Sequence, residues 1–368
     1  MSRETPIRCT RCILPGTVPG IDYDEEGVCS YCRAWRSPQT LGEAALRDLV
    51  AAAKRDGAPC DAIVPLSGGR DSTFVLHEAV RTLGLRVVAV NYDNEFRNET
   101  AVENMERACG ILGVELVSVR SRRGIARRMV QDELRLNATV GLPPVSVCRA
   151  CSYGYRSVVY RAAIEREAPL ILWGSSAHER TDAMRKRAFR GLLGRRPRLL
   201  RLIDPDFQRL VVHSVMQRLE FPVPGTAVLS DSLPRLRRAG VSEVKFFTYV
   251  DWNRKRIKQT NADELGWKKP DKSVSTWKTD CDLHTCINYS YLALFGCTKD
   301  AFGYTNMINA GQMTRDEALD QEARTALGLG GKLPGLLGRR VGLPTHVAEA
   351  LIEAPAARTG GGSGTSGS

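Results

Sequence analysis

The segment DAIVPLSGGRDSTFVLHEAVRTL, residues 61–83, decides the fold of this chain. It begins with an apolar run of the length of a buried strand, breaks at SGGRDS, and continues with the apolar spacing of an amphipathic helix. A loop between a strand and a helix presents backbone N–H groups at the helix N-terminus, and SGGRDS adds two hydroxyls. The segment therefore predicts a site for a pyrophosphate group at residues 67–72.

Strand-like and helical segments alternate on both sides of this loop. Helices are predicted near residues 41–55, 72–83, 98–112, 124–138 and 154–167, and strands at 61–66, 86–92, 114–119, 169–175 and 244–250. Near-continuous apolar strands that alternate with helices predict an α/β fold, a doubly wound parallel sheet of five strands with helices on both faces. Ligands gather at the carboxyl ends of such strands, so SGGRDS, NYDNEFRNE (91–99) and WGSSAHE (173–179) are expected in one cleft.

Two close pairs of cysteines mark the first forty residues. CTRC spans residues 9–12 and CSYC spans residues 29–32, with the turn-forming PGTVPG and DEEG between them. Four thiolates with this spacing match the tetrahedral ligand set of a structural Zn²⁺. Cys9, Cys12, Cys29 and Cys32 are therefore predicted to hold zinc in a ribbon, which stabilises a segment too small to form its own core.

The composition divides the chain into four parts. We expect the zinc ribbon at 1–40, the nucleotide-binding domain at 41–250, a cysteine-containing helical region at 251–327, and a poorly ordered tail at 328–368 that ends in a flexible linker, GGGSGTSGS. No run of about eighteen apolar residues is present, which predicts that the chain does not span a membrane. The N-terminus lacks the apolar core of a signal peptide, so a cytoplasmic location is expected.

The SGGRDS loop resembles the PP-loop of the N-type ATP pyrophosphatases, whose motif is SGGxDS. It lacks the lysine of a Walker A loop, which would reach a γ-phosphate. The resemblance implies that the loop binds ATP, that its serines bond the pyrophosphate, that its glycines bring the backbone close to it, and that Asp71 contacts Mg²⁺ and is catalytic. The implied ATP contacts are Ser67, Gly68, Gly69, Arg70, Asp71 and Ser72, with Asp93 and Asn94 at the ribose or adenine.

Four segments together resemble the N-acetyl sugar amidotransferase family of surface-polysaccharide biosynthesis. They are CTRCILPGTVPGIDYDEEGVCSYC (9–32), VPLSGGRDS (64–72), VNYDN (90–94) and GQMTRDEAL (311–319). The resemblance implies an enzyme that adenylates the acetamido oxygen of a nucleotide sugar and replaces it with nitrogen from ammonia. It also implies a separate glutaminase subunit that supplies the ammonia.

A third cysteine pair favours sulfur, instead of nitrogen, as the atom that replaces the activated oxygen. VCRACSYGYRS (147–157) places Cys148 and Cys151 at the start of a helix, whose N-terminus is expected to lower the pKa of one thiol. This pair resembles the sulfur-inserting PP-loop enzymes that thiolate tRNA. That resemblance implies a [4Fe–4S] cluster on Cys148, Cys151 and one distant cysteine, for which Cys281, Cys286 and Cys297 are the alternatives. Catalytic thiols, zinc ligation and ordinary buried thiols stay open, as do cleft or ligand roles for His178 and His284.

The charge of the chain does not choose between these interpretations. The formal net charge is +12, which suits ATP, a nucleotide sugar and tRNA alike. The strongest basic run, RKRAFRGLLGRRPRLLR (185–201), is best interpreted as a solvated insertion, with a contact to nucleic acid or a phosphorylated substrate as the alternative. Eleven cysteines in a chain expected in the cytoplasm favour metal or thiol chemistry over disulfides, and a homo-oligomer stays open.

Overall fold

Five parallel strands form one sheet in the described part of the chain. The structure is a computed structural model that describes residues 7–121, 124–139, 142–144, 147–176, 178, 236–270 and 280–353. The strands are β1 (Ala62–Pro65), β2 (Val87–Asp93), β3 (Glu115–Arg120), β4 (Leu170–Trp173) and β5 (Ser242–Lys245), and they lie in the order β3-β2-β1-β4-β5. The predicted doubly wound parallel sheet is confirmed.

Helices surround this sheet. In the described ranges they are α1 (Ser30–Arg33), α2 (Glu43–Ala53), α3 (Arg70–His77), α4 (Glu99–Leu112), α5 (Ile125–Thr139), α6 (Arg149–Glu165), α7 (Arg254–Leu265), α8 (His284–Phe295), α9 (Lys299–Asn309), α10 (Arg315–Gly335) and α11 (Thr345–Glu353). A π-helical turn, Glu78–Thr82, extends α3, and another, Leu336–Val341, follows α10. None of the helices described is both long and apolar enough to cross a membrane.

The direction of strand addition reverses between β1 and β4. On one side β1 pairs with β2, with Val64 opposite Ala89, and on the other side it pairs with β4, with Ala62 opposite Leu170. The chain therefore builds the sheet outward to β3 and then returns to continue from β4 to β5. A crevice opens at the carboxyl ends of the two strands that flank such a reversal, and SGGRDS follows β1 at this point.

Alternate residues of the central strands enter two separate cores. Ala62 and Val64 of β1 belong to a large cluster with Phe74 of α3, whereas Ile63 belongs to a smaller cluster with Val159 of α6. Successive strand side chains point to opposite faces, so a fully buried strand needs helices on both sides. This double burial is the reason that the strands are continuous apolar runs in the sequence.

The N-terminal ribbon packs on the C-terminal helices. Thr17 Oγ1 donates to the carbonyl oxygen of Phe295 at 2.6 Å. Arg315, at the start of α10, donates from Nε to the carbonyl oxygens of Cys9 at 3.3 Å and Cys12 at 3.0 Å. CTRC and GQMTRDEAL, two of the segments that carry the family resemblance, are therefore in direct contact.

The fifth strand is shorter than the apolar run predicts. β5 ends at Lys245, and residues 246–248 form a 3₁₀ turn instead of a continued strand. The rings of Phe246 and Phe247 in this turn lie 6.3 and 6.1 Å from the ring of Phe74. The apolar run of VKFFTYV thus reflects aromatic packing on α3 as well as strand formation.

The expected poorly ordered tail is helical over residues 328–341 and 345–353. Leu329, Leu333 and Leu337 recur at a four-residue spacing and are at most 1% exposed. Leu333 and Leu337 of this apolar stripe belong to the large core, and the Gly and Pro residues around the stripe hide it in the sequence. Residues 354–368 and the basic run at 185–201 lie outside the described residues.

His77 on α3 is held between two carboxylates. Its Nδ1 lies 3.2 Å from Glu78 Oε1, and its Nε2 lies 2.7 Å from Glu264 Oε2 on α7. The carboxylate of Glu78, and then that of Glu264, raises the pKa of His77 above its ordinary value of 6.5. The protonated ring therefore stabilises the fold fully below pH 6.5, and this contribution is lost as the pH rises through the raised pKa.

We expect Glu264→Gln to reduce the free energy of unfolding by up to about 1 kcal/mol at pH 6 and by much less at pH 9, since the glutamate is half-exposed. Urea unfolding at the two pH values measures this difference. Asp263→Asn, an exposed neighbour on α7, is the control and should be neutral at both. Equal destabilisation by Glu264→Gln at pH 6 and pH 9 would contradict the role given to His77.

Candidate functional site

The turn between β1 and α3 carries the SGGRDS loop. Gly68 has a φ of +76°, and a Cβ atom at this position would lie 2.0 Å from the carbonyl oxygen of Ala101. Only glycine fits here, because the backbone conformation disfavours a side chain and the carbonyl leaves no space for one. The loop thereby lies directly against α4, and the first turn of α3 borders the cleft.

The two serines of the loop bond to each other and to the loop backbone. Ser72 Oγ lies 3.2 Å from Ser67 Oγ, accepts the N–H of Ser67 at 3.3 Å, and donates to the carbonyl of Gly69 at 3.2 Å. The N–H groups in the first turn of a helix have no acceptor within the helix. Hydroxyls and amides are thus gathered at one end of α3, which is an arrangement suited to an anion.

Two donors orient the carboxylate of Asp71. Arg70 Nε donates to Oδ1 at 2.7 Å, and Trp252 Nε1 donates to Oδ2 at 3.1 Å. The side chain is 11% exposed and lines the cleft. Each carboxylate oxygen keeps a further lone pair, so both remain capable of binding Mg²⁺.

Residues after β5 hold the loop in place. Trp267 Nε1 donates to the carbonyl of Gly68 at 2.9 Å, and Asn261 Nδ2 of α7 donates to the carbonyl of Arg70 at 2.7 Å. Neither residue belongs to one of the sequence motifs described above. The tryptophan is the signal in the sequence that could have indicated such a contact, because an indole N–H that is removed from water requires an acceptor.

Asn94 brings two distant cysteines together. Its Oδ1 accepts the N–H of Phe96 at 3.0 Å, which directs Nδ2 toward Cys151 Sγ at 3.3 Å and Cys281 Sγ at 3.7 Å. The Cys281 segment is held beside the β2 loop by a hydrogen bond of 2.9 Å from Asp282 N to Phe96 O. Both cysteines line the same cleft as SGGRDS. The amide that was predicted to contact ribose or adenine therefore contacts thiols.

Burial controls the ionisation of these two thiols. It raises the pKa of Cys151 to about 12 and the pKa of Cys281 well above its ordinary value. The expectation that the helix N-terminus lowers the pKa of Cys148 or Cys151 is wrong for Cys151, because burial raises the pKa of this thiol. A cation or metal beside the sulfur is needed before either buried thiol ionises at neutral pH.

The other cysteines predicted as possible cluster ligands differ in their exposure to solvent. Cys148 is exposed at the N-terminus of α6, and its charge contributes to the raised pKa values of Cys281 and Cys286. Cys286 is buried within α8, and Cys297 is buried beside Glu322. Of the three alternatives for the distant cysteine, Cys281 is the one that borders the described wall of the cleft.

The cleft lies at the carboxyl ends of β1, β2 and β4 and has a volume of about 320 Å³. Tyr155 and Trp173 form an aromatic wall, with ring centroids 5.8 Å apart, on which a base could stack. Asp93 lies outside the residues that line the cleft. Its carboxylate instead pairs with Arg97 at 3.4 Å and Arg120 at 3.8 Å.

His178 lies between two tryptophans next to the loop. Its ring centroid is 6.2 Å from that of Trp35 in the ribbon and 4.8 Å from that of Trp252. Burial lowers the pKa of His178, so its imidazole is neutral at physiological pH. His284, the other histidine considered, is buried in the C-terminal region with Nε2 at 2.7 Å from Asp300 Oδ1.

The four ribbon cysteines form a compact group. Their sulfurs all lie within 4.8 Å of one another, with Cys12 Sγ 3.7 Å from Cys29 Sγ. A tetrahedral ion with metal–sulfur bonds of about 2.3 Å separates its sulfurs by roughly 3.8 Å, which this pair matches. The N–H groups of Cys12 and Cys29 donate to Cys9 Sγ at 3.3 and 3.2 Å, and Asn309 Nδ2 donates to Cys32 Sγ at 3.3 Å. Such bonds stabilise thiolate ligands, so the group could hold one metal ion.

Comparisons with known proteins leave the activity open. No family model and no curated protein matches the sequence. The U34-tRNA thiolase NcsA from Methanococcus maripaludis, solved with its [4Fe–4S] cluster, is 12% identical, with 89% of this chain and 87% of that chain covered and a TM-score of 0.34. A predicted subunit of tRNA methyltransferase from Methanocaldococcus jannaschii is 14% identical, with 55% and 74% covered and a TM-score of 0.29. Resemblances this distant do not decide an activity.

We expect Cys32→Ser to lose the bound metal and to lower the melting temperature by several degrees, because three thiolates leave a closed structural site incomplete. Elemental analysis and thermal unfolding measure the two effects. Cys60→Ser is the control, since Cys60 is a buried thiol whose Sγ lies 3.7 Å from the carbonyl of Arg166, outside the ribbon. Full metal content in Cys32→Ser would show that the ribbon is not the metal site.

Proposed function

We propose that this chain is an ATP-dependent enzyme of the PP-loop type that adenylates a carbonyl oxygen of its acceptor and replaces that oxygen with sulfur. The acceptor is a tRNA base or a small metabolite. The observation that carries the proposal is the position of Cys151 and Cys281, which flank the amide of Asn94 in the cleft that also contains SGGRDS. An electrophile formed at the phosphate loop would arise beside two thiols.

The loop supports ATP as the activating substrate. The pyrophosphate part of ATP would accept hydrogen bonds from the first-turn amides of α3 and from the hydroxyls of Ser67 and Ser72. Asp71 and Asp280 both line the cleft, and their carboxylates suit a Mg²⁺ ion that also binds phosphate oxygens. A Walker A lysine is not required, because the γ-phosphate is not transferred in this chemistry.

Activation by ATP is needed because a carbonyl oxygen is a poor leaving group. The acceptor oxygen attacks the α-phosphorus, the bond from that phosphorus to the bridging oxygen breaks, and pyrophosphate leaves with the electron pair. Hydrosulfide then attacks the activated carbon, AMP leaves with the acceptor's oxygen, and the proton of the hydrosulfide passes to solvent. Sulfur that enters as inorganic sulfide makes the exchange redox-neutral.

The cleft cysteines suit the delivery of this sulfur. Cys148, Cys151 and Cys281 are the donor set of a [4Fe–4S] cluster with one open iron, and such a cluster would supply a bound sulfide as the nucleophile. Among the described residues, the ribbon is the group of three or more metal-binding side chains whose ligand atoms all lie within 4.8 Å of one another. The sulfurs of Cys148, Cys151 and Cys281 do not meet this limit, so they are spread more widely than the ligands of a single zinc ion. Asn94 Nδ2 would support two of the ligating sulfurs through hydrogen bonds.

Replacement by nitrogen is the second candidate. It rests on the four segments that resemble the amidotransferase family, and the acetamido nucleotide sugar and the glutaminase subunit belong to it. One of those segments, GQMTRDEAL, supports the ribbon through Arg315 and lies outside the described wall of the cleft. Two thiols in the cleft favour sulfur, since ammonia does not need a thiol for its delivery.

Mass spectrometry of the acceptor distinguishes the two candidates. Anaerobically purified protein is incubated with ATP, Mg²⁺ and either sulfide or ammonia, with tRNA or acetamido nucleotide sugars as acceptors. The proposal predicts a product that is heavier by the difference between sulfur and oxygen and that forms together with AMP. A product one mass unit lighter, formed with ammonia on an acetamido sugar, would overturn sulfur transfer in favour of amidotransfer.

We expect Asp71→Asn to reduce acceptor-dependent pyrophosphate release by about 100-fold or more, since a neutral amide stabilises the Mg²⁺-bound phosphates poorly. The asparagine oxygen can still accept the indole N–H of Trp252, so the circular dichroism spectrum should be unchanged. Asp48→Asn, an exposed carboxylate on α2, is the control. Wild-type release by Asp71→Asn would remove Asp71 from the proposed ATP site.

We expect Cys151→Ser and Cys281→Ser each to reduce the thiolated product by more than about 1,000-fold, because each variant removes a ligand of the proposed cluster, while ATP binding is retained. Product mass and nucleotide affinity are measured on the same preparations. Cys109→Ser removes a buried thiol on α4 and should leave both unchanged. Modification at the wild-type rate in both cleft variants would exclude the thiols from the reaction.

A further inference from the structure

The ribbon makes contacts that reach beyond its own stability. We propose that the four-cysteine ribbon positions Asp71 for Mg·ATP, so that metal binding at the ribbon and nucleotide binding at SGGRDS favour each other. The inference rests on the proposed ATP site and adds to it a second, distant site that controls its affinity. Two contact routes lead from the ribbon to His178, which packs against Trp252, the indole that orients Asp71.

The first route is a stack of aromatic rings. Trp35 follows α1 just beyond Cys32, and its ring centroid lies 6.2 Å from that of His178, at an interplanar angle of 33°. His178 in turn lies 4.8 Å from the ring of Trp252, at 38°. Trp252 is 2% exposed, so its ring cannot move without displacing these neighbours.

The second route runs along one helix, α9. Asn309 Nδ2 donates to the sulfur of Cys32 at 3.3 Å, and Asn306 Nδ2 donates to the carbonyl of His178 at 2.9 Å. Residues three apart lie on the same face of a helix. The helix therefore connects a metal-ligand sulfur with the backbone of the histidine that packs against Trp252.

Both routes end at the carboxylate of Asp71. Its Oδ2 accepts the indole N–H of Trp252 at 3.1 Å, and its Oδ1 accepts from Arg70 Nε at 2.7 Å. The guanidinium of Arg70 also lies over the ring of Trp252, 5.1 Å from the centroid. A displacement of the indole thus moves both donors that orient the carboxylate. The orientation of the carboxylate changes with them, and so does the direction of the lone pairs that could bind Mg²⁺.

Reciprocal binding measurements test this coupling. The affinity of the wild-type chain for zinc is measured by equilibrium competition with a chromogenic chelator, with and without saturating Mg·ATP. The coupling predicts that Mg·ATP strengthens zinc binding by about 5-fold or more, the lower end of typical coupling factors. Linkage requires zinc to strengthen Mg·ATP binding by the same factor.

Variants that retain the zinc distinguish a loss of coupling between the zinc and Mg·ATP sites from a loss of folding. Trp35→Ala and the double variant Trp35→Ala/Asn306→Ala should keep their zinc, bind Mg·ATP progressively more weakly and lose the effect of Mg·ATP on zinc affinity. Arg36→Ala is the matched control, because Arg36 bonds only carbonyls of its own segment in the described structure. It should behave as the wild type.

The outcomes distinguish this inference from the proposed function. Zinc affinity that is independent of Mg·ATP in a wild-type chain that binds Mg·ATP would overturn the coupling and leave the ATP site intact. Wild-type Mg·ATP affinity in the zinc-loaded double variant would overturn it as well. A zinc-loaded wild-type chain that does not bind Mg·ATP would overturn the proposed function, and the coupling with it.

Discussion

Gly68 lies where β1 ends and α3 begins, with its Cα facing the carbonyl oxygen of Ala101 at a distance that no side chain would permit. This close approach allows the chain to turn sharply from a buried strand into a helix whose first amides border the cleft. The turn also falls at the reversal of strand order between β1 and β4, where an open α/β sheet forms its crevice. Ser67, Asp71 and Ser72 border the cleft on either side of this contact.

The C-terminal region completes what the sheet begins. Its indole and amide groups bond the loop carbonyls and the Asp71 carboxylate, and its Cys281 meets Cys151 of α6 at the amide of Asn94. The ribbon then packs on the same C-terminal helices through Arg315. Three regions that are separate in the sequence are therefore packed on one another, and the C-terminal region contacts both the SGGRDS loop and the ribbon.

The local patterns of the sequence were enough to predict the sheet, the turn at SGGRDS between β1 and α3, and the group of four ribbon cysteines. Each depends on residues within a few positions of one another, such as the apolar run of β1 or the spacing of CTRC and CSYC. Trp252, one of the two donors to Asp71, is 181 residues away from it in the sequence, and the Cys281 that approaches Asn94 is 187 residues away. Sequence periodicity does not reveal such distant contacts. Cys281, Cys286 and Cys297 are therefore equal candidates for the distant cluster ligand in the sequence, and the structure distinguishes them by their burial and their position at the cleft. The helical end of the chain was missed because Gly and Pro residues interrupt a four-residue leucine spacing.

The central claim is that an electrophile is made at SGGRDS beside the thiols of Cys151 and Cys281. A crystal structure of the anaerobic protein with Mg²⁺ and an ATP analogue whose α,β-bridge is a methylene group tests it most directly. The account predicts that the β- and γ-phosphates bind at the first turn of α3, with Mg²⁺ on Asp71 and the α-phosphorus facing the two sulfurs. An analogue bound elsewhere, or bound with the α-phosphorus on the side away from Cys151 and Cys281, would contradict it.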